Sequence, residues 1–203
     1  MDFSFSGFFY KLFIDPILSR HYDTILENIK PSHRVIDIAC GTGSQSIAIA
    51  QKAHSVIGID LSEEMIGTAL RSAGRKNLSN ITFELRDASN LSYYKDNEFD
   101  IAITSMAVHQ FDAELAVKIM SEMKRIAPVV IIVDYNYPMP EGLARNLAFG
   151  IERIAGGDHY RNFKVYMKNG GITYFANRSG LKVISETVRG SGVFLISVLQ
   201  LMP

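Results

Sequence analysis

The sequence predicts a doubly wound α/β fold, a mostly parallel seven-stranded sheet closed by a C-terminal antiparallel hairpin. Three observations predict it. Apolar strand-like runs alternate with helix-like runs from residue 33 onward, the pattern of a parallel sheet with helices on its faces. The first run ends in the Gly-rich turn Cys40-Gly41-Thr42-Gly43. The last two runs are separated by only Arg189-Gly190-Ser191-Gly192, too short for a crossover and suited to a hairpin.

The elements follow in order. Residues 35–39 are an apolar run leading into the turn, and residues 47–50 lie in a helical stretch. Residues 55–59 form the second run, ending at Asp60. Ser62 is placed to cap a helix carrying Met65, Ile66, Ala69 and Leu70, with Glu63 and Glu64 in its first turn. Residues 81–85 alternate as a strand does, and residues 99–104 form a fourth run. Residues 112–127 read as an amphipathic helix. Residues 129–133 are continuously β-branched, as in a strand buried on both faces. Residues 182–188 and 193–199 are the hairpin strands.

Two segments fall outside this rhythm. Residues 1–32 are aromatic-rich, with Phe3, Phe5, Phe8, Phe9, Tyr10 and Phe13 close together, and are expected to form a helical lid. A lipid-facing anchor is the alternative for them, without a flanking basic cluster. Residues 136–178 form a helical cap: Pro138 and Pro140 open a helix over 143–155, Gly156-Gly157 breaks it, and a second helix follows. There Arg161, Lys164 and Lys168 make a basic stripe opposite Tyr160, Phe163 and Met167. With the core at 33–135 and the hairpin at 179–203, the expectation is a single domain over residues 1–203.

Composition narrows the function. Hydrophobic residues are 47% and charged residues 21%, ordinary for a globular chain and unlike a disordered one. Lys+Arg and Asp+Glu are both 21, which argues against a nucleic-acid binder that must neutralise phosphates. The lone Cys40 excludes an internal disulfide or multi-cysteine zinc site, and the reducing cytoplasm is the expected compartment. No signal peptide and no apolar run approaching about 20 residues is visible, so no integral membrane segment is expected.

The residues that carry chemistry cluster at the carboxyl ends of the predicted strands. Gly41 and Gly43 permit a tight turn and close approach of a ligand to the backbone, at the nucleotide-binding corner of such folds. Asp60, 17 residues after Gly43, sits where an acidic side chain accepts from ribose hydroxyls. Asp87 follows the third strand and can accept from an adenine amino group. A dinucleotide fingerprint would place a small residue at the sixth position, which here is Ser46, and the acid four residues before Gly41 is foreign to it. An NAD-dependent oxidoreductase and a non-catalytic cofactor-binding protein on the same fold remain as rival readings.

VIDIACGTGSQS, GIDLSEEMI, ITFELRDASNL and EFDIAITSMAVHQF resemble the successive motifs of class I S-adenosylmethionine-dependent methyltransferases, a Rossmann-like family. FYKLFIDPIL resembles the N-terminal segment of their small-molecule and lipid branch, related to ubiquinone-biosynthesis and phosphatidylethanolamine methyltransferases. The resemblance implies S-adenosyl-L-methionine as cofactor and a small-molecule methyl acceptor. It implies that Asp37 and the turn Ala39–Gly43 hold the methionine part, Asp60 the ribose, and Leu61, Asp87 and Ala88 the adenine, with Tyr10 and Thr104 also at the cofactor. This chain departs from the family in having Ala39 where glycine is usual, Ala127-Pro128-Val129 in place of Lys-Pro-Gly-Gly, and Lys11 after Tyr10 in place of Asp.

Given that cofactor, the acceptor nucleophile displaces an already activated methyl group, and a base is needed only where the nucleophile carries a proton. His109, just past the fourth strand, is the candidate general base, its ordinary pKa near 6.5 suiting the role. His159, Tyr160 and Arg161 are the candidate residues for an anionic or lipid-like acceptor. Cys40 is read as a small residue in the turn.

Overall fold

The structure, a computed structural model, describes residue 19 and residues 22–201. Its strands are β1 (Arg34–Ile38), β2 (Ser55–Asp60), β3 (Ile81–Leu85), β4 (Ile101–Ser105), β5 (Val129–Tyr135), β6 (Leu181–Arg189) and β7 (Phe194–Leu201). The helices are α1 (Tyr22–Glu27), α2 (Ser44–Ala50), α3 (Glu63–Gly74), α4 (Ala113–Ile126), α5 (Leu143–Ala155), α6 (Gly157–Asn169) and α7 (Ile172–Arg178). The seven strands form one sheet in the order β3-β2-β1-β4-β5-β7-β6, a doubly wound arrangement with a reversed strand near its end. Tyr10 and the aromatic segment around it lie outside the described residues.

By internal packing the chain divides into two compact units. One contains the described residues up to Ala88 together with Phe99–Ala102, and the other Ser89–Glu98 and everything from Ile103 onward.

In the first unit β1, β2 and β3 pair in parallel, with Asp37 opposite Gly58 and Asp60 opposite Leu85. Ser62 caps α3 as the sequence indicates, its Oγ accepting from the Met65 N–H at 3.3 Å. Ile47, Ile66, Ala69, Ala73 and Phe83 close one core between α2, α3 and β3. The Phe83 ring occupies the space in which a Cβ on Gly43 or on Gly58 would stand, 2.7 Å and 2.6 Å from its atoms. These two glycines therefore make room for one aromatic ring.

In the second unit β7 runs antiparallel to both β5 and β6, and a bulge interrupts the β6 register between Val183 and Ser185. Asp112 caps α4 by accepting from the Glu114 and Leu115 N–H groups at 3.1 and 3.0 Å. Arg125, near the end of α4, donates to the Leu91 and Tyr94 carbonyls and to Asp96 and Glu122 at 2.8–2.9 Å, pinning the segment before β4. Phe163 and Tyr166 of α6 are fully buried. Tyr166 stacks on Phe175 of α7 at 5.7 Å and donates from its hydroxyl to the Tyr135 carbonyl at 2.8 Å.

The strand-and-helix order agrees with the sequence reading, and three details differ. β5 continues two residues past Val133, because pairing with β7 places Asp134 opposite Leu195 and Tyr135 opposite Phe194. An apolar-run criterion stops too early there, since pairing and not hydrophobicity ends the strand. β4 begins at Ile101 instead of 99. Helix α7 is absent from the sequence reading: Gly170 and Gly171, at φ of 101° and 67°, end α6, and after these two residues the chain turns into helix again. No helix among the described residues is long and apolar enough to cross a membrane.

Candidate functional site

The first unit presents the carboxyl ends of β1, β2 and β3 side by side. The Cys40 N–H donates to the Ile59 carbonyl at 2.9 Å and the Arg86 N–H to the Asp60 carbonyl at 3.0 Å, so the three chain exits are stitched together. Between β1 and α2 the backbone turns through Ala39, Gly41 and Gly43, at φ of 56°, 54° and 74°. All three are left-handed, a conformation that costs an alanine about 1–2 kcal/mol and a glycine nothing.

Asp60 holds this corner. One carboxylate oxygen accepts from the Gly41 N–H at 2.8 Å and the other from the Ser62 N–H at 2.9 Å. Each ionised oxygen has acceptor capacity beyond its one N–H, so the carboxylate can both organise the turn and accept from a diol. Leu61, next to it, is 74% exposed, a large apolar side chain laid open at the carboxyl edge. Asp87 is exposed and Ala88 half-buried at the exit of β3.

Asp37 stands differently from the role the resemblance assigns it. It is buried, and its carboxylate accepts from Gln45 Nε2 at 3.2 Å and from the Ser46 hydroxyl at 2.5 Å. It braces the first turn of α2 from beneath. Burial, outweighing the two hydrogen bonds, pushes its carboxyl up to about 7. Ser46, the sixth position of the Gly-rich run, is fully buried and engaged with Asp37, unlike the small packing residue of a dinucleotide fingerprint. Burial, with Asp37 and Asp60 nearby, pushes the Cys40 thiol far up, so it is an unreactive packing residue of the turn. Thr104, in the second unit, is buried within β4 like Ala102 and Ile103 before it. It is thus 1% exposed, at a position that the resemblance assigns to the cofactor.

The second unit encloses His109. The residue lies in a short 3-10 turn, Val108–Gln110, and is 1% exposed. Its backbone N–H reaches Asp134 Oδ2 at 3.2 Å, and its Nδ1 lies 2.6 Å from Asp134 Oδ1. Its Nε2 is 3.5 Å from Glu152 Oε1. Tyr135 donates its hydroxyl to the same Glu152 oxygen at 2.7 Å, and its ring packs on the His109 ring at 4.8 Å between centroids. His159 Nε2 lies 2.6 Å from Glu152 Oε2. Burial alone would lower the His109 pKa, but the carboxylates of Asp134 and Glu152 push it up to about 10. Burial would raise Glu152, but the His109 and His159 imidazoles hold it well below the usual carboxylate range.

This environment differs from that of an open, solvent-facing general base. The imidazole is enclosed, and each of its ring nitrogens faces a carboxylate. His159 joins His109 through Glu152, whereas Arg161 is 68% exposed and pairs with Asp158 at 3.0 Å. Tyr160 lies against Phe163 at 6.4 Å and under the Lys164 ammonium at 4.9 Å. The structure thus brings His109 and His159 together and leaves Arg161 on a solvated face.

Asp134 and Glu152 escaped the sequence reading. Asp134 carried a signal: an acid closing the β-branched run of β5 is fully buried and must find a partner. Glu152 carried none, because the apolar side chains of α5, Leu143, Leu147 and Ile154, are 89%, 62% and 85% exposed while Glu152 is buried. Periodicity points to the wrong face of that helix.

Residues 35–128 match the family model described as a methyltransferase domain. Over 110 residues the chain is 30% identical to the uncharacterized methyltransferase YcgJ of Bacillus subtilis, covering 54% of this chain and 43% of that protein. Over 91 residues it is 31% identical to a 2-heptyl-1-hydroxyquinolin-4(1H)-one methyltransferase of Mycobacteroides abscessus, covering 45% and 40%. The matched region thus spans less than half the length of either relative. The crystal structure of magnesium protoporphyrin IX methyltransferase from Synechocystis PCC 6803 with bound S-adenosylhomocysteine shares the fold. Its TM-score is 0.67 at 19% identity, over 100% of this chain and 89% of that one.

Proposed function

We propose that this chain, whose residues 35–128 match a methyltransferase domain, is a class I S-adenosylmethionine-dependent methyltransferase that transfers a methyl group from S-adenosyl-L-methionine to a small-molecule acceptor. The observation that carries the reading is the corner built by the Ala39–Gly43 turn and Asp60, with Leu61 exposed beside it. The donor set fits the cofactor: left-handed backbone that a ligand can approach, a carboxylate with spare acceptor capacity, and an apolar side chain for a base to rest on. When bound, the cofactor supplies an activated methyl group, which an acceptor nucleophile takes while the carbon–sulfur bond breaks and its electron pair stays on sulfur.

The protein's part is positional. The turn cradles the methionine portion, Asp60 accepts from the ribose hydroxyls, and Leu61, Asp87 and Ala88 border the adenine. Asp37 acts by holding Gln45 and Ser46, and with them the start of α2. Alignment of two reactants is worth about 7–11 kcal/mol, enough to carry much of such a displacement without acid–base help.

The acceptor reading rests on charge and on the sequence. Equal numbers of Lys+Arg and Asp+Glu, 21 each, suit a small acceptor better than a polyanion. FYKLFIDPIL favours the small-molecule and lipid branch. The single thiol Cys40, with no disulfide, fits a cytoplasmic setting. The test is calorimetry with S-adenosylhomocysteine on wild type and Asp60→Ala. Two hydrogen bonds to a charged group predict a roughly 10–100-fold loss of affinity with the far-ultraviolet spectrum unchanged. Wild-type affinity in the variant would make Asp60 a turn residue only.

A further inference from the structure

We propose that His109, Glu152 and His159 form a binding site for one divalent transition-metal ion of the Zn²⁺ class, held by two imidazole nitrogens and one carboxylate. One ligand atom from each residue lies within 4.8 Å of the other two. His109 Nε2, Glu152 Oε2 and His159 Nε2 are buried and make no hydrogen bond. His159 Nε2 and Glu152 Oε2 approach to 2.6 Å yet are not aligned as donor and acceptor. Buried polar atoms without partners are costly, and native structures avoid them. Three that converge on one point can be satisfied together by one cation between them.

The surroundings are those of a ligand set. Asp134 takes the His109 Nδ1 hydrogen at 2.6 Å, which directs the Nε2 lone pair toward Glu152 and His159. Metal-bound histidines are oriented in this way by a carboxylate behind them. The Tyr135 hydroxyl donates to Glu152 Oε1 at 2.7 Å, fixing that carboxylate and leaving Oε2 for another partner. Asp134 and Glu152 bring two buried negative charges to the cluster. Two protonated imidazoles can balance them, and so can one divalent ion with both imidazoles neutral.

Nitrogen and oxygen donors of this mixture select zinc-like ions over calcium or magnesium, which prefer all-oxygen sites. Metal–ligand lengths near 2.0–2.2 Å place neighbouring ligand atoms about 3–3.5 Å apart. His109 Nε2 stands 3.5 Å from the other carboxylate oxygen, Glu152 Oε1, and the 2.6 Å between His159 Nε2 and Glu152 Oε2 would open by rotation of the side chains as an ion enters. The His159 side chain is 25% exposed, so the cluster lies close to the surface on that side. The ligands come from the turn after β4, from α5 and from α6, so the ion would cross-link three elements of the second unit.

The experiment titrates Zn²⁺ and, separately, Co²⁺ into the full chain after chelator treatment, with a chromophoric indicator of micromolar affinity competing for Zn²⁺. Wild type should take one equivalent of Zn²⁺ from the indicator, melt at a higher temperature with the ion, and give Co²⁺ bands of a four- or five-coordinate site. His159→Ala and Glu152→Gln should each weaken binding at least ~100-fold and abolish the bands. Should Glu152→Gln fail to fold, His159→Ala decides alone, since His159 is partly exposed on a helix where alanine is favoured. An indicator that keeps all its metal, or binding by His159→Ala equal to wild type, would overturn the site.

Discussion

Ala39 carries a positive φ of 56° in the turn that shapes the corner. Left-handed backbone costs alanine about 1–2 kcal/mol, and glycine gives back about 0.4–1 kcal/mol through a more flexible unfolded chain. Ala39→Gly is therefore expected to stabilise the protein by about 0.5–1 kcal/mol, seen as a rise of a few degrees in melting temperature. A lower melting temperature would mean that the Ala39 methyl contributes packing that outweighs its strain. Asp37 gives a pH prediction. Its carboxyl is near 7 when folded and 3.8 as its reference value, so folding favours the protonated form. The sign follows: wild-type stability relative to Asp37→Asn is greatest below about pH 4, falls as pH rises through 7, and is level above that. Denaturant melts across pH 4–8 should show Asp37→Asn equal or superior near pH 8, because an amide keeps hydrogen-bond partners with Gln45 and Ser46 without a buried charge. A variant equally destabilised at every pH would show that Asp37 is held ionised throughout.

Packing between elements explains what the glycines alone do not. Gly41 and Gly43 are legible in the sequence as turn residues, yet the demand on Gly43 comes from β3. A Cβ there would stand 2.7 Å from the Phe83 ring and from Ala69 Cβ, at a φ of 74°. Strain and overpacking together predict a loss of about 2–4 kcal/mol for Gly43→Ala, readable in urea melts without ligand. A loss under about 0.5 kcal/mol would place the glycine's role with the ligand instead. The sequence cannot name Phe83 as the cause, because the contact depends on how β3 and α3 pack. The same limit hides the His109 surroundings. His109 is visible in the sequence, but its character is set by Asp134, one residue beyond the visible end of β5, and by Glu152, on the unexpected face of α5. A histidine that reads as a titrating base becomes one of three converging buried ligand atoms.

At the scale of the whole molecule, the order of elements and the sheet were legible because alternating runs and a four-residue hairpin loop leave few topologies open. The corner proposed to hold the cofactor was legible as a structural feature because it is local: a strand end, a turn, and an acid at the end of the next strand. A ligand that binds only the folded chain stabilises it by about 2.7 kcal/mol at 100 times its dissociation constant. S-adenosylhomocysteine at that excess should raise the melting temperature by roughly 5–10 °C, and NAD should leave it unchanged. The most direct test of the account is a titration of isotopically labelled protein with S-adenosylhomocysteine, followed amide by amide in nuclear magnetic resonance spectra. The account predicts saturable shifts concentrated at Cys40, Gly41, Gly43, Asp60, Leu61, Ser62, Asp87 and Ala88. Spectra that S-adenosylhomocysteine leaves unmoved at those amides, while NAD shifts them, would contradict it.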